Sequence, residues 1–85
     1  MKIEIQPPTI APIYAQVRDQ IDSQIRQKQV LSGELLPSPT QLAKKLSVDV
    51  GEIQRAYYEL EMSGAIVKKK GRDLFGKEKI TYSVK

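Results

Sequence analysis

The sequence predicts an α+β domain of three helices, followed by a C-terminal β-hairpin and preceded by a short N-terminal strand. Three observations lead there. Apolar residues recur every four positions from Ile13 to Ile25, two further helical segments begin on recognisable capping residues, and from Ala65 onward the spacing shifts to that of strands. Eighty-five residues, 40% hydrophobic and 28% charged, hold one domain with a small core. Residues 1–11 form its N-terminal strand or arm, 12–64 its helices and 65–85 its hairpin.

KIEIQ, residues 2–6, alternates apolar and polar positions as a half-buried strand does, and Pro7-Pro8 ends it. Pro12 suits a first helical turn, and Ile13, Val17, Ile21 and Ile25 draw one apolar stripe along a helix expected to reach about Val30, with Gly33 closing it. In LPSPTQLAKKLSV, Ser38 is the N-cap, Pro39 opens the first turn and Gln41 completes a capping box. Leu42, Ala43 and Leu46 then face inward. After the tight turn at Ser47-Val48, Asp49 and Glu52 repeat the capping pattern for a third helix, which carries Ile53, Ala56, Tyr57 and Leu60 inward and stops near Gly64. AIVKKK and KITYSV read as two strands joined by GRDLFGKE, longer than a two-residue turn.

The absence of Cys and His removes disulfides, thiolates and imidazoles, and with them the common zinc sites and most nucleophile–base pairs. No cofactor, metal or enzymatic activity is expected. No apolar run approaches a membrane span and MKIEIQPPTI lacks the apolar stretch of a signal peptide, so the expectation is a cytoplasmic protein with no membrane partner. Net charge is +4, unevenly placed: residues 68–85 carry seven Lys or Arg against Asp73 and Glu78, a net +5, which leaves −1 for the rest. A basic end on a near-neutral body points to an anionic partner.

Two short helices joined by a tight turn and followed by a basic hairpin form the pattern of a winged helix-turn-helix. Individual residues sharpen it. Pro12-Ile13-Tyr14-Ala15-Gln16-Val17, Ser32-Gly33-Glu34-Leu35, Leu36-Pro37-Ser38, Leu42-Ala43, Leu46-Ser47-Val48, Ala56-Tyr57, Leu60, Gly64 and Ile66 stand at the spacing of PIYxQI…GxL…LPSxRxLAxxLxV…AYxxLxxxGxI. Over residues 10–76 the chain resembles the GntR family. The resemblance implies a bacterial or phage-type transcription regulator that binds double-stranded DNA, its third helix in the major groove and its wing along the backbone or minor groove. Most members carry a separate C-terminal effector domain, and the expectation here is a stand-alone domain without one.

Framework residues match and contact residues depart. The family's arginine in PSxR falls on Thr40, its Ser-Arg pair after the turn on Asp49-Val50, and the following threonine on Glu52. Its GxGTF wing falls on Gly71-Arg72-Asp73-Leu74-Phe75, without the second glycine and the threonine, and the segment between GxL and LPS is shortened. The expected DNA-facing set is therefore Thr40, Lys44 and Lys45 on the second helix, Val50, Gln54 and Arg55 on the third, and Lys68, Lys69, Lys70 and Arg72 on the wing. About six phosphate contacts from such a set give salt-sensitive, weakly specific binding. Lys44, Lys45 and Gln54 also suit a plain solvated helix face. A homodimer through residues 2–6 or the first helix is the expected assembly. The alternative to DNA is a protein partner, favoured by Asp49 and Glu52, which bring negative charge to a helix start where a phosphate would otherwise sit.

Overall fold

The four-residue apolar stripe folds into α1, Ile13–Arg26, in a computed structural model that describes residues 1–85. It is followed by β1 (Leu35–Leu36), α2 (Pro39–Leu46), α3 (Val50–Met62), β2 (Ile66–Arg72) and β3 (Glu78–Val84). No helix is long and apolar enough to cross a membrane.

α1 is shorter than its expected reach to Val30. Ile25 to Val30 is a step of five, which breaks the stripe, and Lys28 takes a left-handed φ of 59° that a helix cannot continue. Gln27 caps the end by donating its N–H to the Ser23 carbonyl at 2.9 Å, and Val30 swings into the core. Gly33, expected to close the helix, does other work: at φ 83° it turns the chain into the sheet, its N–H donating to the Val84 carbonyl at 2.7 Å.

Ser38 and Gln41 form the expected capping box, Gln41 N–H to Ser38 Oγ and Ser38 N–H to Gln41 Oε1, both at 3.1 Å. Ser47 ends α2 in the left-handed region, φ 57°, and the Val48 N–H returns to the Ala43 carbonyl at 3.0 Å. This one left-handed residue makes the turn between α2 and α3 tight. Leu42 and Ala43 of α2, Val17 and Ile21 of α1, and Ile53, Ala56, Tyr57 and Leu60 of α3 then meet in one core with Val30, Leu36, Ile66 and Val84. Of the apolar positions read from the helices' spacing, Ile13, Ile25 and Leu46 are only half-buried against the core's edge, and the others are all in it.

β1 was not visible as a strand in the sequence, because two residues carry no period. It pairs antiparallel with β3, Leu35 opposite Ser83 and Leu36 opposite Tyr82, giving a three-stranded sheet in the order β1-β3-β2. The hairpin strands run further than expected, from Ile66 opposite Val84 to Arg72 opposite Glu78, leaving a loop of only 73–77. Tyr57 joins helices to sheet. Fully buried, it donates its hydroxyl to the Pro37 carbonyl at 2.8 Å and meets the Tyr82 ring edge-on at 4.9 Å, while burial, with Tyr82 as the lesser cause, pushes its phenol pKa up.

The expected N-terminal strand is extended but joins no sheet. It pairs with side chains instead. Gln24, Gln20 and Gln16 of α1 each hold one residue of the arm as a facing strand would: Gln20 Oε1 accepts from the Glu4 N–H at 2.9 Å and Gln20 Nε2 donates to the Glu4 carbonyl at 2.7 Å. Gln24 pairs in the same way with Lys2, and Gln16 with Gln6. The spacing explains the fit, since four helical residues advance about 6 Å and two extended residues about 6.6 Å. Ile3 and Ile5, the alternate residues, pack against the core.

Two outcomes follow from this packing. Tyr57→Phe keeps the ring but leaves the Pro37 carbonyl without its donor, so urea unfolding is expected to show a loss of about 1–2 kcal/mol, against about 3–5 for Tyr57→Ala. Gln20→Ala breaks the middle rung of the arm, so amide exchange at Glu4 is expected to rise to near the unprotected rate while α3 amides keep their protection.

Candidate nucleic-acid interface

The inward face of α3 is fully spent on the core, so its opposite face is defined by what remains: Gly51, Gln54, Arg55, Tyr58 and Met62 are exposed at helical spacing. The Gln54 side chain makes no hydrogen bond within the chain and is exposed to solvent. Tyr58, 61% exposed, was missed in the sequence, where it stood beside the apolar stripe. The signal was available: Tyr57 fills the inward slot, and Tyr58 lies seven residues after Gly51 and four after Gln54. On α2, Thr40, Lys44 and Lys45 are exposed, with Thr40 and Lys44 one turn apart on a common face.

Val50 departs from its expected place. It is half-buried and packs against the core instead of projecting from the first turn. Arg55 is divided. Its guanidinium lies over the Tyr14 ring at 3.8 Å and its Nε donates to Glu59 Oε2 at 3.2 Å, yet 59% of the side chain stays exposed.

The wing sorts its charges onto two sides. Residues directly opposite each other share a face, and Ile66 with Val84, both in the core, mark the helix side. Lys68, Lys70 and Arg72 continue that side outward, whereas Lys69 and Lys79 lie on the other. All five are exposed. The loop beyond is organised by Asp73, whose Oδ1 accepts from the N–H groups of Phe75 and Lys77, both at 2.9 Å, and whose own N–H donates to the Lys77 carbonyl at 2.9 Å. Gly76 supplies the φ of 76° the turn needs. Leu74 is wholly exposed and Phe75 86% exposed at the tip.

Three helices with a left-handed turn before the third, and a hairpin that stands clear of them, agree with residues 13–75 matching the family described as bacterial regulatory proteins, gntR family. The chain belongs to the GntR family. The HTH-type transcriptional regulator YhcF of Bacillus subtilis (strain 168), itself uncharacterised, is 38% identical over 68 residues, which are 80% of this chain and 56% of YhcF. The chain thus spans little more than half the length of that relative. YtrA of Sulfolobus acidocaldarius, a GntR-family transcription factor, superposes with a TM-score of 0.77 at 33% identity, over 99% of this chain and 78% of YtrA. A transcriptional antiterminator from Listeria monocytogenes EGD-e shares the fold, with a TM-score of 0.83 at 24% identity over 99% of this chain and 57% of that one. The family and these relatives are transcription regulators, not enzymes.

In this GntR-family chain the acids at the start of α3 have internal partners. Asp49 caps the helix, its Oδ1 accepting from the Gly51 N–H at 3.0 Å. Glu52 does not close the expected capping box with it. Its Oε2 instead accepts from the Tyr14 N–H at 2.9 Å, at the start of α1, where Pro12 offers no side-chain cap. One acid thus serves each helix. About two turns further along α3, Glu59 takes Arg18 Nη1 at 2.6 Å as well as Arg55, and Arg18 also reaches Asp19 at 2.9 Å and lies 5.6 Å from the centre of the Tyr14 ring. Hydrogen bonds from Arg18, and then from Arg55, hold the Glu59 carboxyl below the usual carboxylate range. Hydrogen bonds donated to Asp19 and Glu59 raise the Arg18 guanidinium pKa in turn.

A lowered folded-state pKa means that Glu59 stabilises the fold above its unfolded pKa, and that the contribution fades as pH falls through the lower folded value. Urea midpoints measured from pH 7 down to pH 2 are therefore expected to drop less steeply for Glu59→Gln than for the parent chain, with the two differing most at the neutral end.

Proposed function

We propose that the chain is the DNA-binding domain of a transcription regulator, and that it occupies duplex DNA through the outward face of α3 and the helix-side face of the wing. The observation that carries this reading is the cationic hairpin: Lys68, Lys70 and Arg72 extend the side of the sheet on which the helices lie, free of carboxylate salt bridges. A convex helix bearing Gln54 and Tyr58 beside such a hairpin suits a groove bordered by phosphates. AraR(DBD), solved in complexes with the operators ORX1 and ORE1, has the same fold at TM-scores of 0.72 and 0.69, with 24% and 22% identity. Those complexes support a similar docking here.

Within this reading Gln54 and the exposed part of Arg55 meet base edges or backbone, Tyr58 lies against the sugar–phosphate wall, and Thr40, Lys44 and Lys45 hold phosphates. Val50 is left out, because its side chain is engaged with the core. The protein-partner alternative rested on Asp49 and Glu52, and both carboxylates are occupied inside the domain. A two-fold dimer belongs to the proposal, since one half-site is too short to be selective. Residues 2, 4 and 6 already spend their backbone groups on α1, so only the other edge of the arm is open to a second copy.

Fluorescence anisotropy with a random-sequence duplex tests the assignment. Each lost lysine–phosphate contact lowers the log–log salt slope by about 0.9, so Lys68→Ala, Lys70→Ala and Arg72→Ala together are expected to cut the slope by roughly 2–3 and affinity by at least about tenfold. Lys69→Ala with Lys79→Ala, on the other face, is expected to do much less. Affinity that does not change with salt contradicts the proposal.

A further inference from the structure

The wing ends on two side chains that nothing in the domain uses. Leu74 is 100% and Phe75 86% exposed, side by side at the far end of the hairpin, where every residue from Lys68 to Ile80 is exposed. An apolar pair in open water is a liability for solubility, and the loop does not let it fold back. Asp73 accepts two backbone N–H groups, from Phe75 and Lys77, and its carbonyl takes the Gly76 N–H at 3.1 Å, so the tip is pinned from both ends. Around it stand Lys70, Arg72, Lys77 and Lys79. The two acids nearby are both engaged or opposed: Asp73 is spent within the loop, and Glu78 lies directly across from Arg72.

We propose that Leu74 and Phe75 form an apolar wedge that enters the minor groove and partly unstacks one base step, kinking the duplex toward its major groove. The inference rests on the DNA reading and goes beyond it by giving the wing tip a role the lysines cannot perform. Cations hold phosphates on either side of a groove, but only an apolar side chain gains by displacing a neighbour from the base stack. The charge around the pair selects a polyanion as the surface it meets. Between polyanions the size of the pair decides. Two side chains bury too little apolar area to hold a protein on an anionic bilayer unaided, whereas a single base step accepts one ring or one branched side chain. The tip also lies beyond Lys68, Lys70 and Arg72, which share the helices' side of the sheet, so these cations are placed to hold phosphates beside the opened step.

The wedge favours steps that open easily, pyrimidine–purine steps such as TA, and so adds sequence preference without a hydrogen bond to a base. The probe is an alternating AT duplex of about 30 base pairs in which several adenines are replaced by 2-aminopurine, with a donor and an acceptor dye at its two ends. Saturating the duplex with the intact chain is expected to raise 2-aminopurine fluorescence at least about twofold, as steps unstack, and to shorten the end-to-end distance. Leu74→Ser with Phe75→Ser replaces two exposed residues, so its circular dichroism is expected to match the parent. It is expected to bind the same duplex within about tenfold, because the lysine contacts remain, but without the fluorescence rise or the shortening. Binding of the parent chain with neither signal overturns the wedge while leaving the DNA reading in place. So does an equal rise with the double variant. No binding to any duplex at low salt overturns both readings, and tip-dependent binding to phosphatidylserine–phosphatidylcholine vesicles in its place assigns the pair to a membrane surface.

Discussion

The burial of Tyr57 is the contact on which the rest of the domain depends. Its ring is the largest fully buried side chain, and three elements converge on it: α3 carries it, the Pro37 carbonyl ahead of α2 takes its hydroxyl, and Tyr82 of β3 packs its edge against it. With only 12 buried residues in the chain, this one side chain sets the distance from α3 to the sheet and to the start of α2. Once Tyr57, Ile53, Ala56 and Leu60 are committed inward, the helix has no freedom to rotate. Gln54 and Tyr58 must then face solvent, and the hairpin that begins at Ile66 must leave the body at a fixed angle.

A second layer of contacts is polar and lies between α1 and α3. Glu52 supplies the cap that Pro12 cannot, while Glu59 gathers Arg18 and Arg55, both close to the Tyr14 ring. Such exposed or half-exposed pairs each contribute little to stability, but together they decide orientation. They also change the meaning of the acids on α3. The negative charge at the start of α3, Asp49 and Glu52, turns out to accept backbone N–H groups at two helix starts, so its place there has a structural cause within the domain.

How much of this could be read beforehand depended on period and pairing. α1, α2, α3 and the hairpin each have a repeating pattern or a written cap, and all were found within a few residues. β1 escaped because two leucines have no period, and α1 was drawn too long because Val30 continues the apolar run without continuing the spacing. In the candidate site, Thr40, Lys44, Lys45, Gln54 and the wing cations stand exposed where the sequence placed them. Val50 and Arg55 do not stand free: the core that takes Val50 and the Tyr14 ring under Arg55 lie on elements distant in sequence, while Glu59, the nearer partner of Arg55, is one helical turn away. The arm shows the same limit. Alternation in residues 2–6 correctly announced extended backbone, but strand pairing by three glutamine side chains of a helix leaves no trace in either segment alone.

The proposed function comes down to one division, between a face of α3 that holds the fold together and a face, with the wing, that meets DNA. Amide and side-chain NMR shifts followed while a short duplex is added at low salt report on both at once. The division predicts changes at Gly51, Gln54, Tyr58, Lys68, Lys70, Arg72 and the 73–77 loop, with Val17, Ile21, Ile53 and Tyr57 unmoved. Changes confined to the arm and the outer side of α1, with α3 and the wing silent, would contradict it.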